Sequence, residues 1–145
     1  MINIQFISEE YIEGLKCLYE ESFEGSKSDL EAMYRTYSKI TNNPNYMLLC
    51  AIENHTVVGS VMGVLCYELF GECKPFMVVE NVAVLSQYRK KGIARKLMLD
   101  LEARARRFNC SMILFVSSKH RTEAHKLYES LGYGEDAVNG YRKKL

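Results

Sequence analysis

The stretch NVAVLSQYRKKGIARKLM, residues 81–98, contains the feature that decides the fold. Its first residues follow the alternating pattern of a β-strand, and its last residues carry apolar side chains at helical spacing. Between them, Arg89, Lys90 and Lys91 stand directly before Gly92. The sequence therefore predicts a strand that continues through a basic, glycine-containing turn into a helix.

The start of that helix is suited to binding an anion. The first backbone N–H groups of a helix have no partner within it, and the helix dipole adds partial positive charge there. Gly92 lets the backbone come close to a bound group, and the small Ala94 leaves the first turn unobstructed. The pattern predicts a phosphate or pyrophosphate site. A solvated basic loop is the alternative, and no GxGxxG or Walker A sequence indicates a dinucleotide or nucleoside triphosphate.

The periodicity of the whole chain predicts an α/β (α+β) protein with the element order β-α-α-β-β-β-α-β-α-β. We expect a mixed central sheet of about six or seven strands flanked by about four helices. The expected organisation is one domain that comprises residues 1–145. Within it, residues 111–117 are expected to form a central strand and residues 140–145 an edge strand.

Two details of the middle strands follow from individual residues. A turn is expected near Asn54 and His55, between two long apolar runs. Gly59 and Gly63 lie inside the second run, where a glycine indicates a bulge or a close backbone contact. Both features place a hairpin before the strand that leads to the basic turn.

Composition argues against several classes of protein. Acidic and basic residues nearly balance at a formal net charge of +1, which disfavours a protein that coats nucleic acid. The five cysteines show no CxxC pair and no zinc-ligand spacing, so we expect no metal and a reducing, cytoplasmic compartment. We expect no membrane partner, because no secretory signal is visible and no apolar run approaches the ~18–20 residues of a membrane span.

Two segments carry a resemblance to a known family. VENVAVLSQYRKKGIARKLMLDLEARAR, residues 79–106, resembles the acetyl-CoA-binding core of the GNAT superfamily of N-acyltransferases. The family signature Q/R-x-x-G-x-G/A is matched by Arg89, Gly92 and Ala94, and residues 111–133 resemble the strand and helix that follow. The resemblance implies a GNAT-type acyl-CoA N-acyltransferase fold. It also implies an N-acetyltransferase that uses acetyl-CoA as cosubstrate and a primary amine as acceptor.

The resemblance further implies where acetyl-CoA binds. The pyrophosphate of coenzyme A would rest on the basic turn, through backbone amides or side chains of Arg89, Lys90, Lys91, Gly92, Ile93, Ala94 and Arg95. The pantetheine arm would pair with the preceding strand as a peptide does, through the backbone of Val82, Ala83 and Val84. A backbone N–H near Val82 would also meet the developing oxyanion.

Two residues are candidates for the proton transfers. Transfer from a thioester to an amine needs a neutral amine, a donor for the oxyanion and a proton for the leaving thiolate. The resemblance gives Tyr128 the role of general acid; the alternative is that Tyr128 packs in the core. Glu80 interrupts an apolar run and is the candidate general base. Alternation places Glu80 on the same face as Val82 and Val84 unless a bulge resets the count, so its orientation is open.

The acceptor is also open at the level of sequence. Acidic residues within residues 19–29 and 67–72 suit a cationic amine, whereas the basic residues 141–145 suit an acidic or phosphorylated acceptor, either a small molecule or a protein. No Cys–His arrangement indicates a covalent intermediate, which favours direct attack in a ternary complex. A catalytically silent acyl-CoA-binding sensor or partner module is the alternative function, and a homodimer is left open.

Overall fold

The computed structural model describes residues 1–145, which divide into two compact units, Met1–Leu114 and Phe115–Leu145. The second unit contains one helix, α4, at Thr122–Ser130. The first unit contains, in chain order, β1 Asn3–Phe6, α1 Ile12–Ser22, α2 Leu30–Thr41, β2 Tyr46–Glu53, β3 Thr56–Cys66, β4 Phe76–Val84, α3 Ile93–Arg107 and β5 Ile113–Leu114. The four helices and the order of the elements through α4 agree with the prediction.

The strands form one mixed sheet in the order β1-β2-β3-β4-β5. Strands β1 to β4 pair with one another in antiparallel fashion, and β5 runs parallel to β4 after the crossover through α3. The predicted turn between β2 and β3 is confirmed, with Asn54 and His55 at φ angles of 47° and 61°. Two residues in the left-handed region suit a tight hairpin, because the twist of such a turn matches that of the strands.

The sheet has five strands rather than the six or seven expected. Residues 140–145 form no strand, and only Ile113–Leu114 of the expected central strand is paired, at the edge of the sheet. Both expectations rested on local composition, whereas a strand also needs a neighbour that covers its hydrogen bonds and one apolar face. The consecutive basic residues Arg142, Lys143 and Lys144 offer little apolar surface for such a face.

Helix α3 packs directly on the backbone of β3 at the two glycines noted in the sequence. A Cβ atom on Gly59 would lie 2.8 Å from Cγ2 of Ile93 and 3.3 Å from Cδ1 of Leu97. A Cβ atom on Gly63 would lie 3.0 Å from Cδ2 of Leu101. The close backbone contact predicted for these glycines is therefore confirmed, and it fixes how near α3 comes to the sheet.

The opposite face of the sheet carries α1 and α2. Leu15 and Leu18 of α1 are buried in a cluster with Leu48, Cys50 and Ala83 of the sheet. Aromatic and aliphatic side chains of α1 and α2 are half-buried around this cluster. The two faces therefore differ, since one is covered by a helix in backbone contact and the other by a thicker layer of side chains. None of the helices combines the length and the apolar character that a membrane-spanning helix requires.

Candidate active site

Strand β4 contains a bulge near its centre. Ser60 pairs with Ala83 and Met62 pairs with Glu80, so two residues of β4 lie opposite a single residue of β3. Asn81, the first of the two, has a φ angle of 55°. Asparagine is one of the few residues other than glycine that enters this left-handed region readily. The bulge is the irregularity that the sequence could not place, and it resets the alternation of side chains along β4.

The bulge decides the orientation of Glu80. Directly paired residues of antiparallel strands share a face, so Glu80 lies on the face of Met62, and Ala83 lies on the same face because its partner is Ser60. This is the face that α1 contacts, since Ala83 belongs to the cluster beneath α1. The Glu80 side chain is exposed. Simple alternation along β4 predicted that Glu80 and Val82 would share a face, and the bulge between them means that they do not.

The second half of β4 has no strand on its β5 side. Strand β5 pairs with β4 only at Met77 and Val78. Beyond Val78, the segment that contains Val82, Ala83 and Val84 pairs with β3 alone within the sheet. Such an edge can accept an extended ligand arm through main-chain hydrogen bonds.

A basic turn leads from β4 to α3 and leaves several amides without backbone acceptors. One turn of 3-10 helix, Ser86–Tyr88, comes first, and the Arg89 amide donates to the Ser86 carbonyl at 3.2 Å. The amides of residues 90–94 have no backbone acceptor, and Lys96 makes the first helical hydrogen bond, to the Gly92 carbonyl at 3.0 Å. These amides form a group of hydrogen-bond donors at the helix start, where the sequence predicts an anion site.

Two residues of this turn adopt left-handed backbone conformations. Lys90 has a φ angle of 62° and Gly92 a φ angle of 78°. A Cβ atom on Gly92 would meet no heavy atom within 4 Å, so the space in front of it is open. Glycine is needed here for its backbone conformation, and its small size also leaves room for a bound group.

The charges around this turn oppose the usual arrangement of a helix start. The first turn of α3 contains no acidic residue, although a helix dipole favours acids there, and it contains Arg95 and Lys96. The Lys91 ammonium lies 4.9 Å from the centre of the Tyr88 ring, and Arg89 Nε donates to the Val84 carbonyl at 3.1 Å. A bound anion would relieve the repulsion between these cations and the dipole, so the residues present fit a diphosphate.

Helix α1 holds the turn through a residue whose contact the sequence did not reveal. Glu21 Oε1 accepts hydrogen bonds from the Ser86 amide at 3.2 Å and from the Ser86 hydroxyl at 2.5 Å. The sequence pointed to Glu21 only as one of several acidic residues. No sequence pattern signals a contact between residues so far apart in the chain. The contact joins the end of α1 to the segment that precedes the donor amides.

Tyr128 lies in the second unit, in α4, and is 7% exposed. Its ring packs edge-to-face on Phe115 with the ring centres 4.7 Å apart, and Tyr133 is part of the same aromatic group. Burial raises the pKa of Tyr128, and the nearby charge of Arg121 acts in the opposite direction. Tyr128 therefore packs as the alternative interpretation expected, and its phenol keeps a proton at neutral pH that it could donate.

Comparisons with known proteins agree on one family. The model of the acetyltransferase (GNAT) family matches residues 12–133. Aminoglycoside N(6′)-acetyltransferase type 1 of Acinetobacter baumannii is 26% identical over 107 residues, which are 72% of this chain and 73% of that protein. The family match includes most of both units and all of the candidate residues described above.

Two solved structures show the same fold. A transcriptional regulator from Bacillus halodurans C-125 superposes with a TM-score of 0.88 at 21% identity, over 100% of both chains. AAC(6′)-Iy, in complex with the bisubstrate analogue CoA-S-monomethyl-acetylneamine, superposes with a TM-score of 0.80 at 19% identity, over 100% of this chain and 99% of that chain. The α/β architecture, the signature at the start of α3 and the family match lead to one conclusion: the chain belongs to the GNAT family of acetyltransferases.

Proposed function

We propose that the protein is an N-acetyltransferase that transfers the acetyl group of acetyl-CoA to a primary amine of a small cationic acceptor. The observation that carries the proposal is the start of α3, where the amides of residues 90–94 have no backbone acceptor and no acidic residue occupies the first turn. Membership of the GNAT family supports acetyl-CoA as the ligand of this site. A cytoplasmic location stays a prediction from the sequence.

The proposal assigns the binding of acetyl-CoA to two adjacent parts of the first unit. The amides of residues 90–94 receive the diphosphate, and the side chains of Arg89, Lys90, Lys91 and Arg95 add charge-assisted hydrogen bonds. The backbone of Val82, Ala83 and Val84 pairs with the pantetheine arm along the edge that β5 leaves uncovered. When bound, acetyl-CoA supplies an activated acyl group.

The proposed chemistry is direct acyl transfer. The amine nitrogen forms a bond to the thioester carbonyl carbon, the carbon–sulfur bond breaks, and the products are an acetamide and free coenzyme A. Glu80, exposed on β4, takes the proton that the amine loses, directly or through water. Tyr128 donates the proton that the departing sulfur gains. A backbone N–H near Val82 stabilises the charge on the carbonyl oxygen.

The nature of the acceptor is proposed from charge and from the relatives. The matched relative acts, by its name, on the 6′ amine of aminoglycosides, which are polycationic amino sugars. In this chain, the end of α1 and the segment after it contain Glu20, Glu21 and Glu24, of which Glu20 is paired with Lys16 and Glu21 accepts hydrogen bonds from Ser86. An acidic surface of this kind attracts cationic amines and lowers the local concentration of anionic ones. We infer that residues 1–145 act together as one acetyltransferase domain, because the family match runs through both units.

A thermal shift experiment with acetyl-CoA, coenzyme A and ATP in parallel tests the binding part of the proposal. A ligand at ~100 times its dissociation constant should stabilise the fold by about 2.7 kcal/mol. Stabilisation by both coenzyme A species and none by ATP is expected. A thiol-release assay over amino sugars, polyamines, amino acids and peptides then tests catalysis. Binding without thiol release from any amine would favour the silent acyl-CoA-binding module instead.

Replacement of Tyr128 by Phe tests the general acid, because it removes the hydroxyl and retains the ring that packs on Phe115. We expect kcat to fall about 100-fold with little change in coenzyme A affinity. Tyr133→Phe is the matched control in the same aromatic group. Since burial raises the pKa of Tyr128, its phenol should keep its proton at neutral and mildly alkaline pH, so deprotonation of Tyr128 should not lower the wild-type rate in that range. An unchanged kcat in Tyr128→Phe would remove this residue from the mechanism.

A further inference from the structure

Two helix starts follow each other closely between β4 and α3, and they differ in how their amides are bonded. The 3-10 turn Ser86–Tyr88 begins first, and α3 begins at Ile93. The amide of Ser86, the first residue of the 3-10 turn, donates to Oε1 of Glu21 at 3.2 Å. No side chain caps the start of α3. A carboxylate of the protein therefore occupies the first start, and the second is free to receive a ligand.

The carboxylate at the first start comes from a distant helix. Glu21 is the last residue but one of α1, 65 residues before Ser86 in the chain. Its Oε1 also accepts a hydrogen bond from the Ser86 hydroxyl at 2.5 Å. Hydrogen bonds to a carboxylate are stronger than those between neutral groups. Because Leu15 and Leu18 bury α1 against the sheet, Glu21 ties Ser86 to an element that is itself held in place.

Ser86 is connected in turn to the amides at the start of α3. The Ser86 carbonyl accepts the Arg89 amide at 3.2 Å, and Nε of Arg89 donates to the Val84 carbonyl at 3.1 Å. Arg89 directly precedes residues 90–94, whose amides have no backbone acceptor. A displacement of Ser86 would therefore be passed through Arg89 to the first of these amides.

The charge of Glu21 is unfavourable for binding an anion beside it. Arg89, Lys90 and Lys91 supply the positive charge of the basic turn, and a nearby carboxylate offsets part of their attraction for a diphosphate. The two hydrogen bonds to Ser86 act in the opposite direction if they keep the amides in place. The effect of Glu21 on the binding of an anion thus has two parts of opposite sign.

We propose that Glu21 is a positioning residue for coenzyme A, because its carboxylate holds Ser86 and, through Ser86, the amides that receive the diphosphate. This inference deepens the proposed function and rests on it. It assigns to α1 a part in binding the acyl donor, although α1 lies outside the segment that matches the family signature. In this role, the hydrogen bonds of Glu21 outweigh the repulsion by its charge.

Glu21→Ala is the direct test, because the two parts predict opposite results. We expect the affinity for coenzyme A to fall about tenfold in isothermal titration, as for the loss of one charge-assisted contact, whereas loss of the charge alone would raise it. Glu21→Gln keeps an oxygen that can accept from Ser86, and its affinity should stay within about threefold of the wild-type value. Unchanged or higher affinity in Glu21→Ala would overturn the proposal.

Glu13→Ala is the matched control for charge. It removes an exposed carboxylate from the same helix, about two turns before Glu21. The affinity for coenzyme A should equal or slightly exceed that of the wild type, since the variant loses a negative charge and no hydrogen bond to the basic turn. A tenfold loss in this control as well would mean that the charge or the stability of α1 matters and not the bond to Ser86, and would contradict the inference.

Kinetics and a double-mutant cycle separate positioning from a general loss of structure. In Glu21→Ala, the KM for acetyl-CoA should rise about tenfold, and any fall in kcat at saturating substrates should be smaller. Ser86→Ala removes the hydroxyl and keeps the amide, so it should weaken binding less than Glu21→Ala does. The double variant should bind coenzyme A no more weakly than Glu21→Ala alone. Losses that multiply, or a kcat that falls as much as KM rises, would count against the inference.

Amide hydrogen exchange in the unliganded protein tests the contact without any activity. Exchange of the Ser86 and Arg89 amides should accelerate about tenfold in Glu21→Ala and stay near the wild-type rate in Glu13→Ala. Unchanged exchange in Glu21→Ala overturns the inference even if the enzyme is active. A wild-type protein that neither binds coenzyme A nor releases thiol would instead overturn the proposed function, so the two failures are distinguishable.

Discussion

The starts of α2 and α3 show two treatments of the same physical problem. Helix α2 is capped by Asp29, whose Oδ1 accepts a hydrogen bond from the Ala32 amide at 3.0 Å, and Glu31 lies in its first turn. Helix α3 begins after Gly92, which has no side chain to cap it, and its first turn contains no acid. Helix α2 caps one of its free amides and offsets its dipole with its own acidic residues, whereas α3 has neither a side-chain cap nor an acid in its first turn.

The comparison teaches what distinguishes a functional helix start from a structural one. Every helix start exposes amides, so exposure alone says little. At α3, the missing cap coincides with left-handed residues, with neighbouring cations and with the edge of β4 that β5 leaves uncovered. At α2, a carboxylate occupies the position that a ligand would take. The combination, and not the helix start by itself, indicates the anion site.

Gly92→Asp would give α3 the kind of start that α2 has, and it should have the largest effect. A carboxylate at this position competes for the amides and repels a diphosphate, so we expect coenzyme A affinity to fall by about 100-fold or more. Gly71→Asp is the matched control, because Gly71 also has a positive φ angle and open space around it. Isothermal titration with coenzyme A measures both. Retained affinity in Gly92→Asp would exclude the proposed placement of the diphosphate.

Removal of one flanking charge should have a smaller effect that depends on salt. In Lys91→Gln, we expect coenzyme A affinity to fall about fivefold at low ionic strength, as for an exposed ion pair. The loss should shrink as salt is added, because exposed charges are screened. Lys39→Gln, at the end of α2, serves as the control for net charge. A loss that is independent of salt would mean that Lys91 acts by packing on the Tyr88 ring instead of by charge.

Asp29→Ala removes the side-chain cap of α2 and should affect stability only. Loss of a helix cap costs about 1 kcal/mol, which corresponds to a decrease in Tm of about 3 °C for a chain of this size. Coenzyme A affinity should stay at the wild-type value. Asp29→Asn retains a capping oxygen and should be nearly neutral in the same calorimetric scan. Loss of affinity in Asp29→Ala would show that the two helix starts are coupled.

Lys90→Gly should have the smallest effect, a gain in stability of about 0.5 kcal/mol, because glycine relieves the left-handed strain at this position. Lys91→Gly removes the same charge from the next residue, which is not among those with a positive φ angle. For Lys91→Gly, the free energy of unfolding should fall, because glycine makes the unfolded chain more flexible and relieves no strain in the folded one. Chemical denaturation of both variants measures the difference. A destabilised Lys90→Gly would show that its side chain is needed for folding.

The sequence predicted those features that depend on neighbouring residues. The hairpin at Asn54, the glycine contacts at Gly59 and Gly63, and the open helix start at Gly92 are all visible in short patterns. The helix that follows Gly92 was predicted because its apolar spacing is regular, and α3 begins at Ile93. Such features follow from local backbone preferences and periodicity.

Features that depend on contacts between distant segments were not predictable. The bulge at Asn81 depends on the register between β3 and β4, and no local pattern fixes where the extra residue falls. The bond between Glu21 and Ser86 joins α1 to a segment 65 residues away. The missing strand at residues 140–145 illustrates the same limit, since its local composition allowed a strand and no partner strand pairs with it.

The absence of side chains at Gly59 and Gly63 has a consequence for how this protein can change over evolutionary time. Because Ile93, Leu97 and Leu101 of α3 rest on bare main chain at Gly59 and Gly63, only a side chain at these two positions of β3 would push α3 away from the sheet. Residues of α1 other than Glu21, of α2 and of the loops can therefore diversify without displacing the end of α3 that is proposed to bind the diphosphate. A family built in this way can adopt new acceptors while the binding of the common acyl donor stays constant.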